Sequence, residues 1–275
     1  MSAVLLPTVA LLGLLVGSFL NVVVHRVPLG LSVVAPASSC PGCGSRIAAR
    51  DNVPLVSWAL LRGACRTCRM PIPVRYPLVE ALTAVAFVVA AAPFLPALER
   101  ATDARTALAA GLELAAYCYL AAISVALAAI DLDVRRLPDR IVLPAYLVGA
   151  VFLGAADLLR GDAVAAVTAA AGAACSFAFY YALAWVKPGA MGYGDVKLAG
   201  VLGLFLGQVG VPALVVGTFA AFLGGGLFGV VILLSRRGAG STAIPFGPWM
   251  LAGAWVGVLF GAPLATAYLA LAGLA

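Results

Sequence analysis

Apolar runs of about 20 residues, each long enough to cross a roughly 30 Å bilayer core as a helix, recur through this chain. They occupy residues 4–24, 78–98, 106–130, 141–159, 164–186, 211–234 and 246–271, with a shorter run at 198–206. With 64% apolar residues over 275 positions and a mean hydropathy of +1.11, the chain carries more apolar surface than a soluble core can hide. The pattern predicts an all-α polytopic membrane protein of about eight transmembrane helices. No basic residue precedes the first run, which passes into Asn21 and His25 without a small-residue cleavage region. It therefore reads as a retained span, not a signal peptide.

Positive charge orients the spans, because Lys and Arg are retained on the cytoplasmic side of short loops. Eight crossings place fourteen of the 17 Lys and Arg on one face, leaving Arg100, Arg105 and Arg160 on the other. The first face is expected to be cytoplasmic, with both termini outside. The net charge of +6 then reports topology and attraction to anionic headgroups. No basic patch is interleaved with stacking aromatics, so the charge does not point to nucleic acid.

The polar stretch 25–77 separates the first run, 1–24, from a membrane core at 78–275. It holds Cys40-Pro-Gly-Cys43 and Cys65-Arg-Thr-Cys68, two CxxC pairs 21 residues apart, close to the spacing of four-thiolate zinc ribbons. A reducing cytosol disfavours the alternative of two disulfides. Four protein ligands leave no open position for water, so the zinc is expected to be structural, and in so small a module its binding supplies much of the folding energy. Arg66 and Arg69 are placed to offset the thiolate charge. Cys118 and Cys175, inside apolar runs, read as small buried hydrophobes.

Acids at the edges of membrane segments are costly and so are functional candidates. Two clusters stand out, Asp131-Leu-Asp133-Val-Arg-Arg-Leu-Pro-Asp139 and Gly192-Tyr-Gly194-Asp195-Val-Lys197, expected at one depth on the same side. An aspartic protease needs one ionised carboxylate to activate water and one protonated carboxyl to polarise the scissile carbonyl, the two titrating as a unit. Asp195 is the candidate from the second cluster, with glycines beside it that let a substrate backbone approach. In the first cluster, Asp131 follows directly on the apolar run and should be least solvated. Asp133 lies roughly 200° around a helix from it and reads as a solvated interfacial acid. Asp139 reads as a helix cap. Lys197 reads as snorkelling to the headgroups. Glu80 reads as a cap or an arginine partner, and Glu113 has no role legible from sequence.

These blocks in this order resemble the type IV prepilin peptidases. Gly17-Ser-Phe-Leu-Asn21 with His25-Arg26 and Pro28 is similar to the family's amino-terminal signature, and the CxxC pairs are similar to its cytoplasmic zinc-binding insert. Arg75-Tyr-Pro-Leu-Val-Glu80, the two aspartate blocks and Pro245-Phe-Gly-Pro248 resemble further family blocks. The resemblance implies a bacterial inner-membrane endopeptidase with Asp131 and Asp195 catalytic. Its substrates would be prepilins or pseudopilins, cut after a glycine on the cytoplasmic side. Many members also N-methylate the new terminus with S-adenosylmethionine. Their linker before the first cysteine is often longer and carries acids linked to methylation, whereas residues 29–39 here carry none. The competing reading is a polytopic transporter or assembly scaffold using the acids for protons or cations, although such proteins more often place their acids near mid-membrane within repeated halves.

Overall fold

The structure, a computed structural model, describes residues 2–187, 189, 191–235 and 245–274. It is built of helices α1 (Ser2–Arg26), α2 (Val56–Leu60), α3 (Arg75–Ala91), α4 (Leu95–Arg100), α5 (Ala104–Val134), α6 (Asp139–Arg160), α7 (Ala163–Val186), α8 (Tyr193–Val209), α9 (Val211–Leu234) and α10 (Gly247–Leu271). Among the described residues the isolated β-bridges are Ser39 to Arg46 and Ala64 to Pro71, both in the cysteine-rich stretch.

Among the described residues six helices, α1, α5, α6, α7, α9 and α10, are long and apolar enough to cross a membrane. The other two expected spans are shorter: α3 and α8 have 17 residues each, about 25 Å at 1.5 Å per residue. In α3 the cause is Pro93, which disfavours helix at the residue before it. The apolar run then restarts as α4, with a proline in its first turn. Conversely α5 continues past the apolar run to 31 residues, carrying Asp131 on its last turn, and Arg135 in the left-handed conformation ends it by donating its N–H to the Asp131 carbonyl (2.9 Å).

The chain forms two compact units. One comprises the residues up to Ala101 together with Tyr117–Ile130; the other comprises Thr102–Ala116 and the chain from Asp131 onward. In the first, α1 lies directly on α3: a Cβ built on Gly17 would sit 2.7 Å from the Glu80 Cα, and the Asn21 amide donates to the Tyr76 carbonyl (3.2 Å). Glu80 is neither a cap nor an arginine partner. Only 8% exposed, it accepts the N–H of Leu55 (2.8 Å), a residue held at φ 59°, and so ties the insert to α3.

In the second unit α8 is the innermost helix, with Val196, Val201 and Phe205 fully buried. Burial on every side is possible because the neighbouring helices come to backbone contact. A Cβ on Gly203 would lie 2.2 Å from the Gly172 carbonyl oxygen of α7. In lipid, where hydrophobicity does not drive helices together, such close approach is what holds them. Gly203→Val should therefore force α7 and α8 apart and lower stability by about 1–3 kcal/mol. Gly226→Ala, into open space, should leave it within about 0.5 kcal/mol. Thermal unfolding in detergent checks both.

Candidate active site and metal centre

Three chain segments of the second unit converge on the sequence-selected acids. Asp131 ends α5 and is 5% exposed; its Oδ2 accepts the backbone N–H of Gly247, the first residue of α10 (3.1 Å). Asp195, half-buried in the first turn of α8, accepts the N–H of Gly192 on Oδ2 (3.2 Å). The two carboxylates are near enough for the charge of one to act on the other. Each thus sits at a helix amino terminus, where unpaired N–H groups favour negative charge.

Leu137 locks the arrangement. Buried, it packs where a side chain on Gly194 would be (3.1 Å from a built Cβ) and also against Gly247 (3.3 Å). Gly194 therefore makes room for Leu137, not for a substrate backbone as the sequence alone suggested. At Gly247 a Cβ would meet the Asp131 Oδ2 at 2.7 Å, so only glycine brings its amide this near the carboxylate. The Asp131–Gly247 bond was not legible from sequence, where Pro245-Phe-Gly-Pro248 stood out as a motif without a mechanism.

Behind Asp195 stands Tyr180 of α7, 3% exposed and within range of its charge. Its ring meets Phe222 of α9 (centroids 5.4 Å) and Phe246 (6.4 Å), and Phe222 meets Phe246 (5.4 Å). This cluster fixes the approach to α10 and so the aim of the Gly247 amide. Sequence gave no signal for Tyr180, one aromatic among several in an apolar run.

The remaining acids are otherwise engaged. Asp133 and Asp139 are exposed. Asp139 does not cap α6, whose cap position is Pro138. It pairs instead with Lys197 (2.8 Å to both oxygens), whose ammonium also lies 5.0 Å over the Tyr193 ring. Lys197 is thus committed within the protein and does not snorkel. Glu113, without a role in sequence, forms a two-pronged ion pair with Arg160 at the other end of α6. Cys118 is buried as expected, whereas Cys175 is exposed on α7.

The four insert cysteines come together, with Cys40, Cys43, Cys65 and Cys68 placing their sulfurs within 4.8 Å of one another. Each CxxC forms the same turn. Cys40 N–H donates to Ser45 O (2.9 Å) and Cys65 N–H to Met70 O (2.8 Å); Gly44 and Arg69 take equivalent left-handed positions. Backbone N–H groups of Cys68 and Thr67 aimed at the Cys65 sulfur bring that thiol down to about 6, and Ser45 lowers Cys43. Zinc bound tetrahedrally at about 2.3 Å from each sulfur requires sulfurs about 3.8 Å apart; Cys40 and Cys68 stand at 3.7 Å. The donor set and spacing fit. Arg66 is not an offset to the thiolates: it holds Asp51 through two nitrogens (2.6–3.0 Å), and that partner keeps the Asp51 carboxyl below its usual range.

The class this defines is a polytopic helical membrane protein with a paired-carboxylate centre and a separate four-thiol centre. Residues 11–94 match the family described as Bacterial Peptidase A24 N-terminal domain, and residues 118–234 match the Type IV leader peptidase family. The chain is 37% identical over 288 residues to the prepilin leader peptidase/N-methyltransferase of Aeromonas hydrophila, covering 95% of this chain and 92% of that protein. It is 35% identical over 292 residues to the protein of that name from Pseudomonas aeruginosa, covering 96% and 93%. No solved structure matches it. The chain belongs to the type IV leader peptidase family.

Purified protein is expected to carry about one metal ion per chain, zinc by its donor set, and Cys65→Ser to lose it together with thermal stability. Elemental analysis of both proteins decides; a metal-to-protein ratio near zero in the parent would eliminate the four-thiolate centre.

Proposed function

We propose that this chain is a membrane aspartic endopeptidase that removes the leader from prepilins or pseudopilins, with Asp131 and Asp195 as its catalytic pair. The observation that carries the reading is that two acids from separate helices, each accepting a backbone N–H, lie near enough for the charge of one to act on the other, with Leu137 packed against both Gly194 and Gly247 beside them. Every other acid of the two blocks is exposed.

In the reaction, one carboxylate, ionised, takes a proton from water as the water oxygen bonds to the scissile carbonyl carbon. The other carboxyl gives its proton to the carbonyl oxygen. When the tetrahedral intermediate collapses, the C–N bond breaks. The first carboxyl hands its proton to the leaving nitrogen, and the second recovers a proton from the intermediate's hydroxyl, so the pair returns to its starting state. The Gly247 amide fixes which Asp131 oxygen faces the water, and Leu137 keeps the two helix starts from separating.

The uneven spread of Lys and Arg supports a bacterial cytoplasmic membrane with both acid blocks and the cysteine insert toward the cytosol. An apolar substrate helix would remain in the bilayer while its basic leader stays outside the hydrocarbon. Zinc held by Cys40, Cys43, Cys65 and Cys68 would have a structural role. N-methylation with S-adenosylmethionine accords with the relatives' names. Residues 29–39, where many members of the family carry acids linked to methylation, hold none here. The transporter reading finds no comparable support.

Asp131→Asn and Asp195→Asn should each lower prepilin cleavage by at least about 10²-fold, read on gels with purified enzyme and a prepilin in detergent; undiminished cleavage by either variant would sink the pairing. Gly247→Ala, which displaces the Asp131 carboxylate without removing it, should lower kcat by roughly 10²-fold while metal content stays unchanged. Mass measurement of the product with S-adenosylmethionine present decides methylation.

A further inference from the structure

Of the buried carboxyl groups outside this chemistry, Glu80 is held by the Leu55 N–H and Glu113 by Arg160, which leaves Asp157. Asp157, near the end of α6 opposite Asp139, is 3% exposed, and its Oδ1 accepts the side-chain amide N–H of Gln208 at the far end of α8 (2.7 Å). The other oxygen of each group, Asp157 Oδ2 and Gln208 Oε1, is buried without a hydrogen-bond partner. Among the charged groups that act on Asp157 are Glu113 on α5, Arg160 on its own helix and Asp162 just beyond it. Arg160 is engaged by both Glu113 oxygens, and the Asp162 side chain accepts the Ala165 N–H at the start of α7.

Two orphaned acceptors on two groups already joined by a hydrogen bond form a specific pattern. An ionised carboxylate in so dry a place would hold its charge with a single neutral donor, and Gln208 would bury a carbonyl oxygen for nothing. Exchanging the Gln208 oxygen and nitrogen does not help, because it would set oxygen against oxygen. A proton on Asp157 Oδ2 resolves both defects at once. The carboxyl becomes a donor to Gln208 Oε1 while Oδ1 still accepts from Gln208 Nε2, closing an acid–amide ring with two hydrogen bonds and no charge.

We infer that Asp157 is a resident proton-binding site within the membrane, its neutral carboxyl group locking α6 to α8 through a closed pair of hydrogen bonds with Gln208. The lock completes a two-ended attachment. At the other end of the same two helices Lys197 holds Asp139, and the Tyr146 hydroxyl donates to the Lys197 carbonyl (2.7 Å). The helix that carries Asp195 is thereby fixed to α6 by a charged pair at one end and an uncharged one at the other.

Asp157→Asn tests this directly, because an asparagine amide supplies the second N–H permanently and keeps the ring without a proton. Infrared difference spectra of the parent against Asp157→Asn, on purified full-length protein in detergent, should show the loss of one protonated-carboxyl C=O band. The variant's thermal midpoint should equal or exceed the parent's, with prepilin cleavage retained. Gln208→Leu, which removes the partner, should lower the midpoint. A spectrum with no such band lost, or an Asp157→Asn protein that is destabilised or fails to fold, would show that the carboxylate is ionised or bridged by water or a cation, and would overturn the proposal. Since cleavage is read on the same samples, failure of the peptidase reading is distinguished from failure of the lock.

Discussion

A carboxylate at the edge of a bilayer needs something in place of its water, and in this protein the starts of two helices provide it. Asp131 takes an N–H from the first residue of α10, and Asp195 takes one from the residue preceding α8. The remaining geometry follows from bringing those two helix starts to one place. Leu137 must fit between them, so neither Gly194 nor Gly247 can carry a side chain. Phe246 must be anchored, and the Tyr180–Phe222–Phe246 cluster does that. Peptide N–H groups fixed in this way hold one oxygen of each carboxylate in place without water.

The position of α8 transmits this arrangement. A 17-residue helix is short for a bilayer, but α8 has little need to meet lipid, because its neighbours enclose it and its glycines let α7 reach its backbone. Burial of that kind fixes rotation about the helix axis as well as position. Asp195 lies in the first turn, so a rotation of one residue, about 100°, would carry it away from Asp131. The contacts from α6, namely Tyr146 on the Lys197 carbonyl, Asp139 on its ammonium and Asp157 on Gln208, act against that rotation.

What sequence revealed and what it hid divides along physical lines. The four-cysteine cluster and the burial of Asp131 were legible because their chemistry is local: a CxxC turn aims two sulfurs whatever surrounds it, and an acid directly after an apolar run is poorly solvated in any fold. The long spans were legible from length and composition, while α3 fell short at Pro93. Partnerships were not legible. Lys197 looked like a headgroup anchor because its nearest acid in sequence is Asp195, while its partner Asp139 lies on another helix. Glu113 with Arg160, and Asp157 with Gln208, are likewise joined only by the packing of distant helices. Gly247 was hidden for a different reason, since its contribution is a backbone N–H that no residue code displays.

The insert shows how a small module can be organised without a large core. The stretch between α1 and α3 has few buried side chains apart from Cys40, Pro54 and Ser57, so packing alone gives it little cooperativity. Its connection to the membrane helices is directional: the Glu80 carboxylate on α3 takes the N–H of Leu55, whose left-handed backbone is unfavourable for a branched side chain unless neighbours over-determine it. Two residues on, Ser57 closes the turn by bonding to both Arg50 and Val53, and Trp58 reaches Ile72 beside the second cysteine turn. A metal drawing the two cysteine turns together would therefore brace the Leu55 turn from one side while Glu80 holds it from the other. Ordering of the insert and seating of α3 against α1, where Gly17 meets Glu80, are on this account a single event.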